Sequence, residues 1–399
     1  MGNTTQLFDM YKRNYDTGSQ VFEEQQNLET YTWSKIPNSD LKPTPQGIFM
    51  PVSMSANEAG GAINESQAFQ VPGSLNPVQP QILSKLVVWP FELTGTAIEL
   101  SETNKQAFAT AIDAQSKDNL SRMFSDLNRQ CLGKGTGQMS LANGAGVAAT
   151  ALIVDNAIPF RRGMRIDSYL TIGGAQEIAG ATITAVNYAT STLTISPAQT
   201  WSDNSIIVKI TIQDGAPVGG KELSGLQAIC DTTVFSTTFE GVAVATNPEW
   251  VGNVIDALVA PISQDLLQRT ENRRAVVGGG KAKFMISNYG QPRVFLNTEL
   301  TKVRYEPAVV KGGHTVLKWN DMEWLIDKDY DLNEVGMYDM EHVEKFQTRD
   351  PHLSDLSGNK FYQITGTDKI GGYYSYYGNT GTWKRNAHAR IINLTEPVF

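Results

Sequence analysis

One stretch sets the scale of anything this chain can fold into. Between Ser101 and Leu132 the residues Phe108, Ile112, Leu120, Met123, Phe124, Leu127 and Cys131 recur on one helical face. Ser101 or Thr103 supplies an N-cap, and Gly133 supplies a stop. At 1.5 Å per residue the predicted helix runs roughly 45 Å, longer than a compact domain needs, so it reads as a spine on which other elements pack.

The flanking segments differ in kind. Leu7, Phe8, Tyr11 and Tyr15 have the spacing of a short amphipathic helix whose stripe is too small to stand alone. Residues 46–100 read as a long two-stranded arm, with a small-residue middle (Asn57, Glu58, Ala59, Gly60, Gly61), three prolines (Pro72, Pro77, Pro80) and a β-rich second limb, LSKLVVWPFELTGTAIELS. After the helix the chain turns small and Gly-rich (GKGTGQMSLANGAGVAATA), and short alternating strands then suggest an inserted β module over 146–213.

Beyond Gly219 and Gly220, the run Asn247, Pro248, Glu249 predicts a second helix with a stripe of Trp250, Val254, Leu258, Ile262 and Leu266 and a kink at Pro261. KFMIS reads as a buried strand and SNYGQPRVFLNTEL as turn plus helix. VLKWNDMEWLID reads as a hairpin turning at Asn320 and Asp321, and KFYQITG, YYSYYGNTGTW and NAHARIINL as further strands. The fold class is α+β.

Composition narrows the function. With 399 residues the chain supports two or three packed units, or one large domain with excursions, and 41% apolar with 19% charged residues marks a folded protein. A net charge of -8 argues against gripping nucleic acid through its phosphates, yet it suits a wall around packed DNA. Cys131 and Cys230 are too few for a disulfide framework, which points to cytosolic folding. The start, MGNTTQLFDMYKRNY, lacks the pattern of a signal peptide, and no apolar run approaches a membrane span.

Motifs of chemistry fail on spacing. A phosphate loop needs glycine where Asn128 and Ala275 stand, and Lys134 and Lys281 are followed by Gly135 and Ala282. His314, His342, His352 and His388 lack metal-ligand spacing, and no G-x-S-x-G occurs. Tyr373, Tyr374, Tyr376 and Tyr377 have no interleaved Lys or Arg, so they read as a sheet face or a subunit interface. Asp327, Asp329 and Asp331 have calcium-loop spacing without its sixth-place glycine or twelfth-place glutamate. No catalytic, cofactor-binding or metal-binding residue is therefore assigned.

The order of elements resembles the major capsid proteins of tailed bacteriophages, the Hong Kong 97-like fold. CLGKGTGQ resembles that family's Gly-rich exit from the spine helix, LSGLQAI the segment after it, VLKWNDMEWLIDKDYDLNEVGMYDMEHV its hairpin and return strand, and KRNAHARIINL its terminal strand. The resemblance implies an N-terminal arm (1–45), an extended loop (46–100), a peripheral domain with the spine helix (101–145 and 311–365), an inserted β domain (146–213) and an axial domain (214–310 and 366–399). It implies a non-enzymatic protein without cofactors that self-assembles into the icosahedral head of a virion, built in the host cytoplasm around double-stranded DNA. Glu58, Gly60, Gly61, Lys85, Trp89, Tyr11 and Tyr15 would make contacts between subunits. Only about 45 residues precede the loop, so a separate scaffolding protein is the expected partner, beside a portal. Rival readings are an encapsulin-like compartment of the same fold and a secreted β-rich carbohydrate-binding or hydrolytic protein, which the missing signal peptide disfavours.

Overall fold

The computed structural model describes residues 30–395 apart from 55–58, 66–67, 69–70, 72, 74–76, 96–104, 211–220, 280, 300–309, 312–313, 316, 356–357 and 359. The predicted caps Ser101 and Thr103, and the N-terminal stripe with Tyr11 and Tyr15, lie outside these residues, as do the side chains of Phe108 and Ile112.

The long helix spans Lys105–Leu132, about 42 Å at 1.5 Å per residue. Met123, Leu127 and Cys131 are fully buried, Leu120 and Phe124 half-buried, and Gly133 ends the helix by donating its N–H to Arg129 O at 3.0 Å. The stripe rests on an antiparallel sheet in which Lys369–Thr382 pairs with Lys85–Thr94, Val343–Leu353 and Tyr362–Gln363. Alternation in that sheet turns Tyr374 and Tyr376 into the core, where Trp33, from the short helix Tyr31–Lys35, meets Tyr376 edge-on at 5.4 Å. The tyrosine run therefore belongs to a sheet face.

A mixed six-stranded sheet forms the centre, in the order Asn253–Asp256, Ala389–Ile392, Val335–Tyr338, Phe284–Ser287, Met322–Ile326, Leu317–Trp319. Its first two strands pair in parallel, as do Phe284–Ser287 and Met322–Ile326. Both faces are covered, which explains why the middle strands are buried almost throughout. Ile286, Leu325 and Tyr338 join the core under the long helix, while Met285, Trp324, Val335, Met337 and Ile391 pack with the helices Gln264–Gly278 and Gly290–Glu299. The predicted hairpin is present: Asn320 and Asp321 take φ of +47° and +64°, the geometry of a two-residue turn matched to strand twist.

The second predicted helix is corrected. Residues 253–256 form a strand, Leu258 and Val259 occupy an exposed turn, and the helix begins only at Gln264, where Ser263 Oγ accepts from Leu266 N. Trp250 and Ile262 are buried as expected, but Leu258 is 81% exposed. Pairing with Ala389–Ile392 rewards β-branched Val254 and Ile255 as a strand, and this tertiary gain overrides the helical period.

Six strands between Gln138 and Lys209 form a second antiparallel sheet, ordered Gln138–Leu141, Ile206–Lys209, Arg165–Tyr169, Gln176–Asn187, Thr192–Trp201, Gly146–Ile153. Its two edges meet: Ala142 bridges Val154, Asn143 N donates to Ile153 O and Asp155 N to Leu141 O, both within 3.0 Å. The sheet rolls into a barrel around Leu152, Phe160, Ile166, Ile183, Leu193 and Ile207, a core separate from the rest. Gln138–Leu141 lies in the small-residue stretch before 146, where a strand is hard to see because only Met139 and Leu141 carry bulk.

Candidate functional site

The segment following Pro45 runs out and back as a narrow ribbon. Ile48–Phe49 pairs with Gln81–Ile82 and Val52–Ser53 with Pro77–Val78, each only two residues long. Pairs this short have no stability of their own, and proline at position 77 fits only an edge without a third strand. At the root, Ile48, Met50 and Ile82 pack on Phe346 and Trp383; farther out Ile63 and Val71 are exposed, Val71 at 90%. Gly60 and Gly61 lie at the far end in open space, with nothing within 4 Å of an added Cβ. Among the other contact candidates, Glu58, Tyr11 and Tyr15 fall outside the described residues.

Lys85 and Trp89 share the strand that leaves the ribbon, both half-buried. Trp89 packs on the main core, and Lys209, from the last barrel strand, sets its Nζ 3.9 Å above the indole ring. That lysine opens a network the sequence did not reveal. Lys209 Nζ lies 3.4 Å from Asp126; Arg129 reaches Asp126 at 3.2 Å and grips both oxygens of Glu222 at 2.6 and 3.2 Å. Burial alone would raise the Asp126 carboxyl, but Lys209 and Arg129 outweigh it and hold it well below the usual carboxylate range. These charges tie barrel, long helix and ribbon strand together at one point.

The aspartates with calcium-loop spacing are a second brace. Asp327 accepts from Thr32 Oγ1 at 2.7 Å and from Asn128 Nδ2 at 3.0 Å; Asp329 accepts from Lys328 Nζ at 2.7 Å, and Asp331 faces Lys134 at 3.1 Å. Asn128 is wholly buried and also accepts from Trp33 N. Lys134, the phosphate-loop candidate, is likewise engaged with Asp331 and Glu334. A cleft of about 320 Å³ beside it, lined by Lys134, Gln138, Asp155, Asp331 and Glu334, is more charged than a small-molecule pocket usually is.

His388 is buried between Thr382 Oγ1, 3.1 Å from Nε2, and Asp339 N–H, which donates to Nδ1; burial pushes it down to about 3, so it is neutral. Among the described residues no three His, Cys, Asp or Glu side chains gather in a metal-binding group, and no helix is long and apolar enough to cross a membrane. The charged side chains of these two braces pair with one another, and the ribbon is a long exposed feature among the described residues.

No family model and no curated protein matches the sequence. Solved structures do match, over nearly the whole chain. The capsid asymmetric unit of cyanophage A-1(L) superposes with a TM-score of 0.57 at 10% identity, covering 94% of this chain and 96% of that one. The SrpI encapsulin of Synechococcus elongatus PCC 7942 gives 0.51 at 9% identity, covering 97% and 95%. The capsid of a native GTA particle gives 0.51 at 7% identity, covering 94% and 93%. At this level of identity the likeness speaks for fold, and the mixed α+β architecture and element order agree with it. The chain has the Hong Kong 97-like fold of tailed-phage capsid proteins.

Proposed function

We propose that this chain is the major capsid protein of a tailed phage and that it assembles, as hexamers and pentamers, into the icosahedral head that encloses double-stranded DNA. The observation that carries this reading is the ribbon: residues 46–83 leave the body with two short strand pairs and exposed Ile63 and Val71, so their burial has to come from another copy. Many weak copies of that contact sum to a strong shell.

In this reading residues 1–45 are the N-terminal arm and 46–100 the extended loop. The long helix with the sheet of Lys85–Thr94, Val343–Leu353 and Lys369–Thr382 belongs to the peripheral domain, the barrel from Gln138 to Lys209 is the inserted β domain, and the central sheet belongs to the axial domain. Glu58, Gly60, Gly61, Lys85, Trp89, Tyr11 and Tyr15 are the candidates for contact between subunits. A scaffolding protein and a portal are separate partners, DNA is enclosed without sequence-specific binding, and assembly takes place in the bacterial cytoplasm. Catalysis is no part of the role.

An encapsulin-like compartment is the second reading, favoured by the similarity to the SrpI encapsulin over 97% of the chain. Electron microscopy of the purified protein tests both. Closed icosahedral shells are expected, and nuclease-protected DNA inside particles from infected cells separates a phage head from a cargo compartment. Persistently monomeric protein would overturn both readings.

A further inference from the structure

The hairpin Thr238–Ala243 turns through Glu240 and Gly241, both left-handed, with φ of +50° and +77°. Glutamate rarely adopts that conformation, and a strained residue held in place by its surroundings points to a role. The turn sits at the root of the ribbon. Gln81 N donates to Glu240 O at 2.8 Å, and Thr382 N donates to Glu240 Oε1 at 3.3 Å, so one residue joins the returning limb to the end of the long strand Lys369–Thr382. The fit is close: a Cβ at Gly381 would stand 2.2 Å from Ile82 Cδ1 and 2.9 Å from Glu240 Oε1. Oε2 is buried with no hydrogen-bond partner. An ionised oxygen in that position is costly, whereas a protonated carboxyl tolerates it.

Charged groups approach from each neighbouring element. Lys85 and Glu222 line the same cleft of about 300 Å³. Arg385 gives its guanidinium to the carbonyls of Ile229, Trp250 and Phe235 and lies over the Phe239 ring, so its charge is shared away from Glu240. His342, whose carbonyl accepts from Thr382 Oγ1, turns its ring to Asp339 and Trp383, and Lys384 follows in the chain.

We propose that Glu240 is a proton-controlled latch: with its carboxyl protonated the hairpin holds the ribbon's root on the subunit body, and ionisation loosens it. Burial pushes the Glu240 carboxyl up to about 8, against the opposing pull of Thr382 N–H and Arg385. A raised carboxyl stabilises the closed state fully below the ordinary range near about 4.3, and that contribution is lost as pH rises through about 8. The latch needs only the folded chain, so its test does not depend on whether shells form.

Hydrogen exchange at the amides of Gln81 and Met50, both bonded across the root, reads the latch directly. After correction for intrinsic chemistry, their protection falls about tenfold or more between pH 5 and pH 8, while Ile286 in the central sheet keeps its own. Glu240→Gln keeps the shape without the titration and flattens the response; Glu240→Ala does the same should the glutamine variant not fold. Equal loss of protection in wild type and variant overturns the latch. So does wild-type protection that is constant from pH 5 to pH 8, a result that requires no variant.

Discussion

Asn128 shows how much of this chain's coherence rests on single buried polar groups. Its carbonyl takes the Trp33 N–H and its amide serves Asp327 and Asp329, so one side chain joins the long helix to the N-terminal segment and to the turn after the central sheet. Asn128→Ala leaves a buried N–H and two carboxylates short of a partner. The expected cost is about 2–4 kcal/mol, seen as a drop of several degrees in the thermal midpoint. His388 makes a pH-dependent case. Its folded state rejects a proton that the unfolded chain accepts near about 6.5, so stability falls as pH drops from there toward about 3. Between pH 7 and pH 4 the loss is on the order of 3 kcal/mol, and His388→Asn, measured by chemical denaturation at both pH values, should remove most of that slope.

At the scale of elements, the ribbon makes the sharpest prediction. Replacing residues 55–76 by a short Gly/Ser linker keeps both strand pairs and the core beneath the long helix, so circular dichroism and melting should change little. Shell assembly should nevertheless fail, and chromatography would show monomers or small oligomers; normal shells from this variant would reduce the ribbon to decoration. What was legible here was local. The stripe from Leu120 to Cys131, the Asn320–Asp321 turn and the alternation in YYSYYGNTGTW each declare themselves within a dozen residues. The series Trp250, Val254, Leu258, Ile262, Leu266 misled because a strand, a turn and the start of a helix happened to keep a spacing of four, and the strand's partner lies at Ala389–Ile392. The two braces were illegible for the same reason: in the one at Trp89 Arg129 meets Glu222 93 positions away, and in the other Asn128 meets Asp327 199 positions away. Polar residues flanking Leu127 inside an otherwise apolar face were the one available hint.

Across the whole molecule the barrel stands apart, with its own core and with edges that close on each other. A fragment of residues 137–210 should fold alone into a β-rich, soluble unit with a cooperative melt. One starting at 146 lacks the strand Gln138–Leu141 and the Ala142 bridge, and should melt lower or not cooperatively. The central sheet is arranged in the opposite way. Its penultimate strand in space, Ala389–Ile392, lies between Asn253–Asp256 and Val335–Tyr338, pairing with both. During synthesis that slot stays empty until residues 389–392 have left the ribosome, and the hydrophobic faces on either side remain unsealed until then. A chain stopped before Ala389 should bind a dye for exposed apolar surface and fail to enter particles. A chain that stops short thus leaves the central sheet unsealed, and on the proposed reading it would be barred from the shell.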